Sequence, residues 1–343
     1  GDILGALEHA RAAAELNTAY RPYEARLYMQ LGQYDAADRI YESMQDDAED
    51  PVTWLLARAE VAERKGDTSS ALGQYDKILR EHPDDSRAYL QKATLLVNQS
   101  KPEEAARVLR EGLERFPDQV GMRLGMARVY VQQDELDQAA AQLRELIDLI
   151  NKRIAAEKAQ GRSQEELAVA HQALVPVRAE LAIVQLLQDQ VRNAAGTLDQ
   201  IGKEFMTGDV RQLRAIVDLY EGEPRAAVER LGEVDPASAS VVVKALAQAA
   251  AGNAGAARES LAGQQVLTRD ATELMRRMVT ERTAEELSRV APVLALTIHL
   301  GQQPFFHKVA LALTEDALGM LPDDPFILSR QGEIHLAMGD VAQ

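Results

Sequence analysis

The sequence predicts an all-α solenoid of antiparallel helix pairs, and three observations predict it. An alanine returns every 34 residues, at positions 25, 59, 93 and 127. A second alanine series follows twelve residues later, at positions 37, 71, 105 and 139. Apolar residues make up 46% of the chain but aromatic residues only 4%, which suits thin helix-on-helix layers of Ala, Leu and Val. A period of this length is typical of a stacked array rather than a single globular core.

The second period illustrates both helices. The first helix is predicted to end at Gly66-Asp67 and the second at His82-Pro83, because glycine and proline stop helices in these ways. Apolar residues recur at helical spacing on one face of each helix. They are Trp54, Leu55, Ala59 and Ala62 in the first helix, and Ala71, Leu72, Tyr75 and Ile78 in the second.

These residues resemble the tetratricopeptide repeat (TPR) family, in which small residues, a turn glycine and a final proline recur at fixed places. Four consecutive units in one register begin near Thr18, Val52, Ser86 and Val120. The resemblance implies a right-handed superhelical solenoid in which the first helix of each unit lines a concave groove. It also implies a protein or peptide partner that lies along that groove.

The chain is predicted to have six parts. Residues 1–17 form the second helix of a truncated repeat, 18–151 four regular units, 147–190 an elongated helical hairpin, 175–265 three degenerate units, 266–290 an extra helical segment, and 291–343 one unit plus a half unit. Because Gly1-Asp2 and Gly339-Asp340 both match the turn inside a repeat, we expect a fragment of a larger bacterial multi-repeat scaffold protein.

Two stretches break the period. In the elongated hairpin, Ser163 and Glu166 form a predicted capping box, and Thr283 with Glu286 forms another at the extra segment. The hairpin is interpreted either as a tolerated change of length or as a docking ridge, since insertions tend to lie on one face of a solenoid. At the Phe305-Phe306 turn, one ring is interpreted as a plug and the alternative is an exposed anchor.

Composition disfavours several classes of function. The net charge of −16 argues against a nucleic-acid surface. The longest candidate for a membrane span, Val290 to Leu300, is too short to cross a bilayer, so no membrane insertion of this segment is expected. There is no cysteine, the six histidines are scattered, and no phosphate loop or nucleophile elbow occurs. We therefore expect no enzyme activity, no metal and no cofactor.

The TPR register implies which side chains face the groove in the four regular units. The predicted partner-binding residues are Arg26, Met29, Gln30, Glu60, Glu63, Arg64, Arg87, Asn98, Arg128 and Gln132. This set predicts a groove of mixed charge.

The sequence favours a non-catalytic scaffold that binds a protein or peptide. Its Ala-rich, Gly/Asp-turn style resembles bacterial repeat proteins, one class of which is the periplasmic scaffold region of exopolysaccharide export proteins. A periplasmic location is favoured over a cytoplasmic one on this resemblance. The alternatives are a cytoplasmic assembly or regulatory adaptor and, less favoured because there is only one Trp, a carbohydrate-binding module. The identity of the partner and the oligomeric state do not follow from the sequence.

Overall fold

The computed structural model describes residues 3–45 and 50–338, apart from the side chain of Gln164. The expectation of truncated ends rests on four residues that lie outside the described residues, namely Gly1, Asp2, Gly339 and Asp340.

The described chain contains α-helices, short 3-10 turns and no strand, which confirms the all-α prediction. The helices are α1 Ile3–Leu16, α2 Arg21–Gln30, α3 Tyr34–Glu42, α4 Pro51–Lys65, α5 Thr68–Glu81, α6 Ser86–Asn98, α7 Pro102–Arg115, α8 Val120–Gln132, α9 Leu136–Ala159, α10 Gln164–Leu187, α11 Val191–Asp199, α12 Gly208–Tyr220, α13 Pro224–Leu231, α14 Ser240–Ala250, α15 Ala254–Ser260, α16 Arg269–Glu281, α17 Ala284–Leu300, α18 His307–Met320 and α19 Pro325–Met338.

The chain divides into two compact units. Unit 1 comprises Gly1–Val97 with Glu103–Gly125, and unit 2 comprises Asn98–Pro102 with Met126–Gln343. Each unit is built by stacking helix pairs, so each helix packs mainly on its neighbours in sequence.

In unit 1, α1 to α5 pack in chain order. The predicted turn between α4 and α5 is present. Gly66 adopts a left-handed conformation with φ of 81°, and the Asp67 carboxylate accepts a hydrogen bond from the Ser70 amide at the start of α5. The recurring alanines Ala25, Ala59 and Ala71 are fully buried. Small residues at these sites let neighbouring helices approach closely, as the sequence predicts.

Ion pairs also join successive helix pairs of unit 1. Arg58 on α4 contacts Asp38 on α3 at 2.7 Å, and Lys92 on α6 contacts Asp76 on α5 at 2.6 Å. Arg58 and Lys92 are 34 residues apart and occupy the same position of the repeat. In two consecutive units, the same repeat position of the first helix therefore carries a cation, and this cation pairs with an aspartate on the second helix of the preceding unit.

In several helix pairs, a hydrogen bond between two side chains that are twelve residues apart joins the first helix to the second. In unit 1 it joins Tyr41 to Met29 and Tyr75 to Glu63, in each case four residues after the first-helix alanine. In unit 2 the donor lies on the second helix and the acceptor three residues after the corresponding alanine. The unit 2 pairs are Thr197 with Gln185, Arg230 with Asp218, and Ser260 with Gln248. The degenerate repeats thus preserve the contact while losing the regular period.

Unit 2 contains the long hairpin that the broken period predicts. Helices α9 and α10 have 24 residues each, and the helix that starts at Leu136 continues through Ile147, Ile150 and Ile154. The capping boxes at Ser163 and Thr283 are both present. Each satisfies two backbone amides that would otherwise lack partners.

One helix of unit 2 departs from simple stacking. Helix α17 packs against α12 and α14 as well as against α18, and every residue from Val290 to Leu300 is buried. A helix that is buried on all sides is a core element. One face of α12 and one face of α14 are therefore covered by α17.

The sequence estimate of membrane-spanning length also needs correction. Among the described residues, Glu165–Leu187 is long and apolar enough to cross a membrane by length and composition, with a mean hydropathy of 1.4. A search for uninterrupted apolar runs does not find this segment, because isolated polar residues break the run but lower the mean hydropathy only slightly. Nevertheless, 44% of this window is buried, and α10 packs on both α9 and α11. That packing covers the buried part of the window, whereas Val169 is 72% exposed.

Candidate functional site

Four of the predicted groove residues form an exposed polar surface on α2 and α4 of unit 1. Arg26, Gln30, Glu60 and Arg64 are all exposed. Arg64 pairs with Glu60 at 3.1 Å, whereas Arg26 makes no ion pair among the described residues. The charges of Glu60 and Arg26 both act on the hydroxyl of Tyr41, whose pKa is raised mainly by burial. The structure therefore brings Arg26 and Glu60 to the same area of this unit.

Two other predicted residues of unit 1 face the second helix of their own repeat. Met29 is buried, and its sulfur accepts a hydrogen bond from Tyr41 at 3.9 Å. Glu63 is half-buried and accepts a 2.5 Å hydrogen bond from Tyr75. Burial raises the pKa of Glu63, and the Tyr75 bond opposes the rise. A partner on the surface would have little access to either side chain.

Arg87 is exposed but already engaged within unit 1. Its guanidinium contacts Asp85 and lies 3.0 Å from a carboxylate oxygen of Asp50, and it donates to the Thr53 hydroxyl at 3.0 Å. Hydrogen bonding to Asp85 raises the pKa of Arg87. Arg87 thus links the start of α6 to the start of α4, 34 residues earlier.

The predicted residues of unit 2 have different surroundings. Arg128 donates to Glu180 from Nε at 2.9 Å, and its guanidinium carbon lies 4.2 Å from the centre of the Phe305 ring. Gln132 is buried, donates to the Phe305 carbonyl at 3.2 Å and accepts at its backbone oxygen from Lys308 at 3.1 Å. The turn before α18 therefore lies against both residues. Asn98, at the end of α6, is exposed.

Comparison with family models identifies the repeats. Two models described as tetratricopeptide repeat match, one at residues 23–86 and the other at 62–119 and 96–162. Residues 23–162 of the chain belong to the tetratricopeptide repeat family. The matched TPR residues include the four predicted regular units except for their first five residues, so the resemblance drawn from the alanine series is confirmed.

Solved TPR structures resemble this TPR protein at low sequence identity. A tetratricopeptide repeat protein from Parabacteroides merdae is 17% identical, with 81% of this chain and 93% of that chain covered and a TM-score of 0.49. Yeast Tom70 is 12% identical, with 95% and 90% covered and a TM-score of 0.35. The TPR domain of P58(IPK) is 17% identical, with 86% and 94% covered and a TM-score of 0.27. No curated protein matches the chain.

TPR proteins are in general non-catalytic scaffolds that bind protein partners. Within the described part of the chain, no group of three or more His, Asp or Glu side chains is arranged to hold a metal ion. His299 is buried at the end of α17, and burial lowers its pKa to about 4. A neutral buried histidine of this kind contributes to packing.

Sequence reasoning overlooked two exposed aromatic residues of the TPR array. Tyr20 and Tyr23 are 52% and 47% exposed, and Tyr23 lies three residues before Arg26 on α2. Residues three apart on a helix are surface neighbours. Tyrosine and arginine are also the side chains most enriched where binding energy concentrates. The sequence does contain a signal for these residues, because Tyr20 and Tyr23 lie outside the repeat positions at which alanine and tyrosine pack the helices.

Proposed function

We propose that this protein is a non-catalytic scaffold that binds a protein or peptide partner through the first-helix surface of unit 1. This surface, termed the α2/α4 face, comprises Tyr23, Arg26, Gln30, Glu60 and Arg64. The observation that carries the proposal is the joint exposure of these polar and aromatic residues on first helices of a TPR array. We assign a secondary role in partner binding to Arg87, to Asn98 and to the more buried predicted residues.

The α2/α4 face suits a partner with a few anchoring contacts. Arg26 supplies an uncommitted cation and Tyr23 a rigid aromatic surface, while the pair between Glu60 and Arg64 is available to exchange partners. Most binding energy at such surfaces comes from a small number of Arg and aromatic residues. We therefore expect a segment that presents a carboxylate or carbonyl to Arg26 and an apolar side chain to Tyr23.

Affinity capture from native lysate, with the whole chain as bait, tests this proposal. The test variant carries Tyr23→Ala and Arg26→Glu. The matched control carries Arg80→Glu and Leu79→Ala on the second helix α5, of which Arg80 is exposed and Leu79 partly buried. A partner that binds the parent and the control but not the test variant supports the α2/α4 face. Equal capture by test and control variants would contradict it, provided that circular dichroism shows both to be folded.

The finer proposal is that the chain is the periplasmic scaffold region of a bacterial exopolysaccharide export protein. It rests on the Ala-rich repeat style and is compatible with the lack of cysteine. The cytoplasmic adaptor is the alternative. Immunodetection after release of periplasmic contents distinguishes the two, since the export role requires the protein in the periplasmic fraction and the adaptor requires it in the spheroplasts.

The position of the single tryptophan bears on the carbohydrate alternative. The Trp54 ring stacks on Tyr41 at 6.1 Å between ring centres, within the core cluster formed by α2, α3 and α4. A sugar-binding platform needs an aromatic face open to solvent. Trp54 packs between repeats and therefore does not supply that face.

A further inference from the structure

Unit 2 contains a mostly apolar cleft whose lining includes one of the predicted groove residues, Gln132. Its volume is about 770 Å³, and it lies between the ends of α8, α10 and α12 on one side and α18 on the other. Leu186 and Val293 are buried at its base, and Leu313 and Met320 line it from α18. Met320 is 44% exposed. Clefts of this size are large enough to take several side chains of a ligand.

The rim of the cleft is acidic. Four carboxylates line it, those of Asp134, Asp189, Glu315 and Asp316, against one cation, Lys308. Within the described residues none of the four makes a salt bridge, although ion pairs are common elsewhere in the chain. Lys308 is directed to the backbone oxygen of Gln132 at 3.1 Å. The apolar base is thus surrounded by negative charge that the chain itself leaves unneutralised.

Two of these carboxylates occupy positions where other repeats have glycine. Asp134 and Asp189 follow the first helices of their pairs and have φ of 62° and 58°. The corresponding turns after α4 and α12 use Gly66 and Gly222, with φ of 81° and 78°. Glycine adopts this left-handed region without a steric penalty, whereas other residues pay one, although Asp and Asn tolerate the region better than most. Both aspartates therefore hold a backbone conformation at the rim of the cleft that glycine adopts more easily.

Tyr220 also lines the cleft. Its side chain is partly buried, and within the described part of the chain its hydroxyl has no hydrogen-bond partner. Burial raises its pKa, and the nearby charges of Asp316 and Asp189 raise it further. A cationic donor placed here would meet a neutral hydroxyl and two carboxylates together.

We propose that this cleft docks a protein segment in which apolar side chains are flanked by lysine or arginine. The apolar part would cover Leu186, Leu313 and Met320, and the cations would meet the rim carboxylates. Charge complementarity selects this occupant, since an acidic or purely apolar segment would leave the carboxylates unpaired or repelled. The cleft is independent of the α2/α4 face, so either surface can fail its test without affecting the other.

A phage-displayed library of random 16-residue peptides is the probe for the cleft. Selection uses the whole chain, with counter-selection against Ala312→Arg, because Ala312 is an exposed cleft residue on α18 where an arginine would occupy part of the cleft and add a positive charge beside the rim carboxylates. Enriched peptides are then synthesised and their affinities measured by fluorescence anisotropy. The rim variant D189N/E315Q/D316N is compared with E145Q/D148N/E229Q, which removes the same charge from exposed residues of unit 2 outside the cleft.

The expected result is enrichment of peptides that combine apolar residues with Lys or Arg. Their affinity should fall about tenfold in the rim variant, as three partly exposed ion pairs predict, and change less than about twofold in the charge-matched control. Equal loss in both charge variants would show attraction to net charge alone and overturn the proposal. Enriched peptides that bind Ala312→Arg unchanged, or no enrichment, would also overturn it. A Tyr23→Ala, Arg26→Glu variant should bind these peptides normally.

Discussion

Arg128 is enclosed between Glu180 and Phe305 in unit 2. Its guanidinium donates to the Glu180 carboxylate and lies 4.2 Å from the centre of the Phe305 ring. Glu180 is on α10, and Phe305 is in the turn that precedes α18. A single cation thus joins three parts of the unit that are distant in sequence. Arg26, at the same repeat position, remains exposed, so register alone does not decide whether an arginine serves binding or packing.

Replacing Arg128 with alanine should destabilise the protein by about 3–5 kcal/mol, because it leaves the Glu180 carboxylate buried without its partner. Urea denaturation at pH 7 measures the change. Arg26→Ala, at the equivalent but exposed position, is the matched control and should change stability by less than about 0.5 kcal/mol. Similar effects of the two substitutions would show that the enclosure of Arg128 contributes little.

The Arg128→Ala defect should also depend on pH. Burial raises the pKa of Glu180 and Arg128 opposes the rise, so the variant should have the higher Glu180 pKa. A carboxyl whose pKa is raised in the folded state binds more protons when folded, and folding therefore becomes more favourable as pH falls. The deficit should shrink between pH 7 and pH 5, and adding Glu180→Gln should remove that pH dependence. A deficit that grows toward acid pH would contradict this assignment.

His299 should make the protein acid-sensitive. Burial lowers its pKa to about 4, with Asp209 acting weakly in the opposite direction. The unfolded chain, with a histidine pKa of about 6.5, binds more protons between those values, so stability is full above pH 6.5 and falls as pH drops toward 4. The loss is about 3 kcal/mol. His299→Gln should have a flatter stability curve than the parent over this range, whatever its absolute stability.

Tyr75→Phe should weaken the twelve-residue contact in unit 1. Glu63 would lose its 2.5 Å hydrogen bond while remaining half-buried, which costs about 1–2 kcal/mol. In the background of Glu63→Gln the same substitution should cost less, and a double-mutant cycle gives the coupling. Tyr23→Phe, at an exposed tyrosine of α2, is the control and should leave stability unchanged. Zero coupling between Tyr75 and Glu63 would contradict the assigned bond.

The sequence predicted those features that depend on local chemistry. Gly66 ends α4 in a left-handed conformation, and the capping boxes at Ser163 and Thr283 start α10 and α17. Each of these features depends on only a few residues that are neighbours in the sequence. The 34-residue alanine period is also local to a helix pair, so it identified the repeats before any comparison.

The sequence did not predict contacts between distant segments. The length of Val290–Leu300 indicates only that it is too short to span a membrane, yet all its residues are buried within unit 2. Apolar periodicity cannot assign a partner to a helix that is apolar on every face. Met29 and Glu63 face the second helix of their own repeat rather than the groove. A small rotation of the first helix about its axis would move these side chains from one to the other, and the repeat register does not specify that rotation. The carboxylates of the cleft come from three separate stretches that only folding brings together.

Asp189→Gly should stabilise the protein while weakening cleft binding. Asp189 has φ of 58°, and glycine would release a left-handed strain of about 1 kcal/mol. The same substitution removes a rim carboxylate, so selected basic peptides should bind less tightly. The converse change, Gly66→Asp at the equivalent turn of unit 1, should destabilise by a similar amount, because Gly66 has φ of 81°. Urea denaturation and peptide anisotropy on the same samples measure both effects. Loss of stability in Asp189→Gly would mean that the carboxylate stabilises the turn, and would remove backbone strain as an argument for a binding role.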